Sequence, residues 1–240
     1  MQVTRFYLPA VLLIKILTVF RLFVSFLLGR LFVWFSSCFV IAFLLGSIPW
    51  GLIFSKAFFN KDIRNEGSGN IGTTNAIRSM GKVGGYAVFV LDFGKGLLSG
   101  FCSLWIAGLF GLDATQTQIA TAIAFWGCTW GHIFTPWLKF KGGKGIAVAI
   151  GCLFVTFGVI PSVIELTIFG VLVVLTKYVS VGSMASALAC PFLALWVFWG
   201  NWPAVLFCTI GGLTVFWAHR GNLKRLLAGE ERRVGDGKKK

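Results

Sequence analysis

Long apolar runs dominate the chain, separated by short polar segments. Residues 31–55 and 114–138 contain no Asp, Glu, Lys or Arg, and neither does 178–218, which Gly200, Asn201, Trp202 and Pro203 divide. About 20 helical residues cross a hydrocarbon core of roughly 30 Å, so uncharged apolar runs of about 18 or more read as membrane spans. With the remaining segments cut at their polar and Gly/Pro breaks, the pattern predicts seven helices, at 33–57, 82–110, 116–136, 145–160, 162–177, 183–199 and 202–218. The fourth and fifth are short for a span, and Pro161 separates them. The expected fold class is an all-α membrane protein with seven transmembrane helices.

Composition agrees: 57% of residues are hydrophobic and 12% charged, where a water-soluble domain has about 25% charged. The charges that remain orient the bundle, because Lys and Arg in short loops stay on the cytoplasmic side. Lys56, Lys61, Arg64, Arg78 and Lys82 follow the first helix, Lys139, Lys141 and Lys144 follow the third, and the tail from His219 onward is basic, whereas the turns near 111–116 and 200–203 hold no Lys or Arg. The core therefore starts outside and ends in the cytoplasm. Most of the +14 net charge faces the membrane surface and anionic lipid, and nucleic acid is not the expected partner. The expected domains are a hydrophobic, basic extension at 1–32, a membrane domain at 33–230 and a basic tail at 231–240. Lys15 and Arg21 lie inside the apolar part of the extension, which leaves an eighth span and an interfacial helix both open.

Cys38, Cys102, Cys128, Cys152, Cys190 and Cys208 all fall in apolar segments without a C-x-x-C pair, and the two histidines are far apart in sequence. Neither a disulfide framework nor a metal site is indicated. Three polar, glycine-bearing segments remain, all on the cytoplasmic side. The first holds Gly67, Ser68, Gly69, Asn70, Gly72, Thr73, Thr74, Asn75 and Arg78; the second Lys141, Gly142, Gly143, Lys144 and Gly145; the third His219, Asn222, Lys224, Arg225 and Glu230. Glycines let backbone N–H groups converge on an anion, hydroxyls and Asn add neutral donors, and Lys or Arg supply charge. Lys144 and Gly145 also open the fourth helix, where the helix dipole favours phosphate. Such loops suit a phosphorylated ligand.

At these residues the chain resembles the bacterial membrane-bound glycerol-3-phosphate acyltransferases that use acyl phosphate as donor. The similarity starts near Gly46, Ser47, Ile48, Pro49, Trp50 and Gly51 and runs through Glu230. The three motifs in order between spans are specific together, and Lys141 to Gly145 is not a P-loop, since its spacing is wrong and the Ser/Thr is missing. The resemblance implies seven helices from outside to inside, in a bacterial inner membrane. It implies acyl transfer from acyl phosphate to the 1-hydroxyl of glycerol 3-phosphate, giving lysophosphatidic acid and phosphate, with no metal, no cofactor and no covalent acyl-enzyme. A soluble enzyme that makes acyl phosphate is the implied upstream partner. Ser68, Asn70, Thr74 and Arg78 match the family's first functional motif, the glycines and Lys144 its phosphate-holding loop, and His219, Asn222 and Glu230 its third. Thr73 departs from the family's usual Ala and adds a hydroxyl beside the phosphate site.

An acyl phosphate is already activated, so the protein's tasks are to hold two anions together and stabilise the departing phosphate. Lys144, Arg78, Ser68, His219 and Asn222 are the expected catalytic residues. Gly67, Gly69, Asn70, Thr74, Asn75, Gly142, Gly143, Gly145, Ser180, Ser183 and Glu230 are expected to bind substrate. The general base is His219 or the donor's own phosphate oxygen, and the resemblance favours the second. His132 is open between a bundle contact and catalysis, Asp92 and Lys95 between a structural ion pair and a site role, and Glu230 is expected to hold the tail through Arg225 or Arg232. The competing reading is a small anion or phosphate transporter gated by the same loops. That would call for repeated halves and polar breaks at mid-membrane, and no internal repeat is visible.

Overall fold

The computed structural model describes residues 29 and 32–235; the remainder of the N-terminal extension and the last five residues lie outside it. Helix α1, Phe32–Phe59, is broken at Ile48 and Pro49 and resumes at Trp50. It is followed by α2 (Thr73–Phe110), α3 (Ala114–Ile133), α4 (Ile146–Thr156), α5 (Val159–Thr176), α6 (Val179–Val197), α7 (Trp202–Ala218) and the short α8 (Arg220–Leu227). The described residues form helices and loops without a strand. Helices α1, α2, α5 and α6 are long and apolar enough to cross a membrane, and α7 with α8, bent 47° from it, makes a fifth such unit. The protein is an integral membrane protein.

Backbones approach closely where two helix pairs cross. A Cβ on Gly127 or Gly131 of α3 would run into the α1 carbonyls of Phe39 and Phe43, and one on Gly96 of α2 or Gly151 of α4 would meet the facing Val148 and Phe93 carbonyls. Lipid tails are as apolar as leucine, so helices in a membrane associate through such small-residue contacts. Helix α4 has 11 residues, about 17 Å at 1.5 Å per residue, well short of a hydrocarbon core of roughly 30 Å. Its Val148, Ala149, Ile150, Gly151, Cys152 and Leu153 are all buried, so neighbouring helices and not lipid surround it.

Two boundaries depart from the expectation. The break between α4 and α5 falls at Phe157 and Gly158 (φ 80°), and Pro161 sits inside the first turn of α5, where its missing N–H has no helical partner to lose. Helix α2 begins nine residues early, at Thr73 rather than 82, because Gly81 joins a short helix carrying Thr74 and Arg78 to the long span.

One end of the bundle is stapled by Asn201, whose Nδ2 donates to the Thr115 carbonyl at 3.0 Å and to Gln118 Oε1 at 2.8 Å; Trp199 and Trp202 pack edge to face there and face outward, as aromatic side chains do at a membrane interface. At the opposite end, the break in α1 frees two carbonyls. Ser47 O accepts from Thr135 Oγ1 at 2.7 Å and Ile48 O from Lys95 Nζ at 2.7 Å. The loop after α3 is thereby fastened to α1.

Gly81 adopts φ 76° and ψ −176°, a region almost closed to other residues, where a side chain costs about 1–3 kcal/mol. No atom crowds its missing Cβ, so Gly81→Ala tests backbone strain alone. It should lower thermal stability in detergent by that amount and reduce activity by re-aiming Arg78; unchanged melting would show that the hinge accepts an L-residue.

Candidate active site

The loop between α1 and α2 is closed by one side chain. Asn75 is buried; its Nδ2 donates to the carbonyls of Ile63 (3.1 Å), Glu66 (3.0 Å) and Asn70 (2.8 Å), and its Oδ1 accepts from Ser68 N–H at 2.8 Å. Gly67 has φ 59°, and a Cβ there would collide with the Asn75 amide. Asn70 Oδ1 accepts from Gly72 N–H at 2.9 Å. Asn75, Gly67 and Asn70 therefore shape the loop, and Ser68 is left on its exposed crest. Thr74 and Arg78 lie four apart, on one face of the short helix that follows. Thr73 turns inward, with its hydroxyl buried and unpartnered.

The second loop uses its glycines differently from the expectation. Gly142 N–H donates to Ile133 O and Gly143 N–H to His132 O, both at 3.0 Å. These two amides close the end of α3 and are not free for an anion. The donors that remain are those of Lys144, Gly145 and the first turn of α4, which has no side-chain cap. Lys139 and Phe140 both hold positive φ, 54° and 61°, strain of the kind that clusters at functional loops.

Lys144 leaves this loop toward the third segment, where its Nζ donates to Asn222 Oδ1 at 2.5 Å. Asn222 Nδ2 donates to Glu231 Oε1 at 2.6 Å, and Arg225 Nε to Glu231 Oε2 at 2.7 Å. His219 Nδ1 lies 2.8 Å from the Val215 carbonyl; a carbonyl only accepts, so Nδ1 carries the hydrogen and Nε2 of a neutral ring keeps its lone pair. Burial first, then the Arg225 and Arg78 charges, bring Lys144 down from 10.5 to about 8, with Glu231 opposing. Burial alone would push Glu231 up, but the hydrogen bonds from Asn222 and Arg225 prevail and hold it below its usual range.

Lys144, Arg78, His219 and Asn222 are thus brought into one electrostatic neighbourhood. Ser180 is buried beside Glu231; Ser183 is buried one turn further along α6. Gly145, at φ 91°, packs on Val215 and Ile133. Glu230 does not take the expected place: its side chain is exposed and only its backbone N–H bonds, to Arg225 O. Glu231 takes it instead, because the chain turns at Gly229 (φ 69°) and folds back so that Val234 N–H reaches Lys177 O at 2.7 Å. Glu231 accordingly belongs with the site, and the exposed residues after it are tied back through Val234. Two adjacent glutamates gave the sequence no means of choosing between them.

Two further features flank the loops. The Asp92–Lys95 ion pair, open in the sequence, is formed at 2.8 Å, and His132 Nδ1 joins it 2.9 Å from Lys95 Nζ. An open groove of about 700 Å³ runs between α1, α3 and α7, lined by Phe43, Trp130, Phe134, Phe140, Ile210, Leu213, Thr214 and Trp217. Its floor is pinned by Trp130 Nε1 donating to Thr214 Oγ1 at 3.0 Å. Phe140 of the second loop and Trp217, two residues before His219, lead it into the polar site. Among the described residues no three His, Cys, Asp or Glu side chains gather as metal ligands would.

Comparison with known proteins matches the glycerol-3-phosphate acyltransferase family model over residues 36–229. A glycerol-3-phosphate acyltransferase of Rhodopseudomonas palustris (strain BisB5) is 41% identical over 202 residues, covering 83% of this chain and 95% of that protein. One from Thermosynechococcus vestitus is 37% identical over 199 residues, covering 82% and 93%. The crystal structure of PlsY (YgiH), an integral membrane glycerol 3-phosphate acyltransferase, in its glycerol 3-phosphate form aligns with a TM-score of 0.73 at 31% identity, over 84% of this chain and 96% of that one. Its lysophosphatidic acid form aligns at 0.70 and 29%.

Two outcomes follow from this electrostatics. Glu231→Gln should lower turnover efficiency about three- to tenfold, the effect of weakening a hydrogen-bonded charge by about 1 kcal/mol or more, while Glu230→Gln stays near wild type; the reverse order would return the role to Glu230. Lys144 is charged below its pKa, so inorganic phosphate should inhibit less as pH rises through about 8. Lys144→Arg, which stays charged above that pH, should flatten this fall even if its plateau is lower.

Proposed function

Because the chain belongs to the glycerol-3-phosphate acyltransferase family, and is such an enzyme, we propose that its acyl donor is an acyl phosphate and that the acyl group passes to the 1-hydroxyl of glycerol 3-phosphate at a site facing the cytoplasm. The observation that carries this reading is the meeting of three loops at Lys144: its bond to Asn222, with the charges of Arg78 and Arg225 close by. Two substrates that each bring a phosphate fit a site where the charges of Lys144, Arg78 and Arg225 gather. The acyl chain of the donor would lie in the groove lined by Trp130, Phe134 and Trp217, with its phosphate toward Lys144 and the first turn of α4.

The reaction then proceeds by attack of the substrate hydroxyl oxygen on the acyl carbon. The bond from that carbon to the phosphate oxygen breaks, and inorganic phosphate leaves with the electron pair. The hydroxyl proton goes to an oxygen of the leaving phosphate or to His219 Nε2, the nitrogen whose lone pair is open. Lys144 and Arg78 offset the charge that grows on the leaving group, and Ser68, exposed on its loop, donates a neutral hydrogen bond. The products are lysophosphatidic acid, a phospholipid precursor, and phosphate. An acyl phosphate is short-lived in water, so a soluble enzyme must supply it nearby.

For the membrane we propose seven crossings, with the N-terminal end of α1 outside and the C-terminus in the cytoplasm of a bacterial inner membrane. The basic residues at Lys56, Lys61, Lys139, Lys141, Arg220, Lys224 and Arg225 support this orientation. In this arrangement the short α4 crosses where its neighbours enclose it, and the longer α5 crosses with most of its surface toward lipid. The break at Pro49 is the kind of feature a transporter shows, but here it anchors the loop after α3 through Ser47 and α2 through Ile48.

Purified protein should make lysophosphatidic acid from glycerol 3-phosphate and an acyl phosphate, and none from acyl coenzyme A; efficient turnover of the thioester alone would overturn the donor. Lys144→Ala or Arg78→Ala should remove a charge-assisted contact of about 1.5–3 kcal/mol, a tenfold or greater fall in kcat/KM. Arg78→Lys should recover only part, because an ammonium lacks the paired N–H groups of a guanidinium. Near-normal rates in both alanine variants, at equal amounts of folded protein, would remove the loops from the reaction.

A further inference from the structure

Below the second loop, three ionisable side chains meet that the reaction scheme leaves unused. Asp92, Lys95 and His132 are 1%, 4% and 4% exposed. A buried ion pair is a poor source of stability, since apolar residues of the same volume often do as well or better, and an ionisable residue inside a membrane bundle calls for a function. The geometry says which. Lys95 Nζ is 2.7 Å from Ile48 O and 2.9 Å from His132 Nδ1, and Asp92 Oδ1 is its counter-ion at 2.8 Å. An ammonium has only hydrogens to offer, so Nδ1 must present its lone pair to it, and the ring hydrogen sits on Nε2.

Nε2 faces the phosphate loop. A Cβ on Gly143 would overlap it and the two ring carbons beside it, and Gly143 N–H bonds to the carbonyl of His132 itself. Gly143, whose lack of a side chain makes room for the ring, therefore sets Nε2 against the loop at the residue next to Lys144. We propose that His132 is a further phosphate-binding residue: its neutral Nε2–H donates to an oxygen of the phosphoryl group held by Lys144, and Lys95 is a positioning residue that fixes the tautomer, with Asp92 balancing its charge. A neutral donor adds a hydrogen bond without adding repulsion to a site that already gathers Lys144, Arg78 and Arg225. The proposal rests on reading this loop as the phosphate site.

The two amide substitutions at position 132 separate the roles of the ring nitrogens. In Gln the amide nitrogen falls near the place of Nε2, and in Asn the amide oxygen falls near the place of Nδ1. His132→Gln should keep KM for acyl phosphate and the inhibition constant of inorganic phosphate within about threefold of wild type, whereas His132→Asn should raise both about tenfold, the loss of one phosphate hydrogen bond, with melting temperature little changed. The opposite order, Asn retaining affinity and Gln losing it, would reduce His132 to an acceptor for Lys95 and overturn the proposal. Nitrogen NMR of the wild-type protein labelled with ¹⁵N-histidine decides the matter even if neither variant folds. His132 should show a bare Nδ1 and a protonated Nε2, and inorganic phosphate should shift Nε2. A protonated Nδ1, or an Nε2 untouched while phosphate inhibits turnover, would refute the inference and leave the loop reading standing. A wild-type protein that turns over substrate but does not bind phosphate at this loop would remove both.

Discussion

In a hydrocarbon solvent an unpartnered backbone N–H or C=O costs several kcal/mol, and this constraint orders the whole molecule. Helices satisfy it internally, so irregular backbone is confined to the ends or covered by protein. Where α1 breaks at Pro49, Thr135 and Lys95 cover the freed carbonyls of Ser47 and Ile48; where α3 ends, Gly142 and Gly143 cover Ile133 and His132. The same bonds that make these interruptions tolerable also pull the loop after α3 against α1 and α2. The site is thus assembled from the repairs that a broken helix and a helix end require.

The second constraint is charge. Lys144, Arg78 and Arg225 repel one another, and burial lowers Lys144 to about 8. Asn222 holds Lys144, and Glu231 holds both Asn222 and Arg225. In the proposed reaction a phosphate dianion would favour the charged form of Lys144, and a leaving phosphate would meet donors that need little rearrangement.

Much of this was legible in the sequence. Apolar run length marked where the long helices lie to within a few residues, apart from the early start of α2, and the polar, glycine-bearing segments marked the three loops. What stayed hidden depends on atoms that pattern does not place. Asn75 has the look of a ligand residue, but its amide closes its own loop. The Gly142 and Gly143 amides have the look of an anion nest, but α3 takes them. Glu231 and Glu230 are chemically identical, and only the reversal at Gly229 distinguishes them. The early start of α2 turned on Gly81 adopting an extended left-sided conformation between two helical stretches. For Lys95 and His132, 37 residues apart in sequence, a tertiary contact decided what spacing could not.

In the proposed reaction the groove and the loops together set the depth of the chemistry. Trp217 lines the apolar groove, and the next helix opens with Arg220, whose guanidinium stacks 3.7 Å from the Trp217 ring centroid. That pair marks the level where the surroundings change from hydrocarbon to interface, as aromatic and basic side chains do at membrane boundaries. His219 lies between these two residues in sequence, and Phe140 closes the groove from the side of the second loop. An amphiphile resting with its chain along Trp130 and Leu213 has its head delivered to the level of Lys144 by the hydrophobic effect alone, before any charged contact forms. The polar partner, which has no chain, is selected by charge from the water side. With the proposed donor, two substrates of opposite solubility would thus be brought to one plane by different forces, and the protein's own task would narrow to holding their phosphates apart while the hydroxyl oxygen and acyl carbon approach.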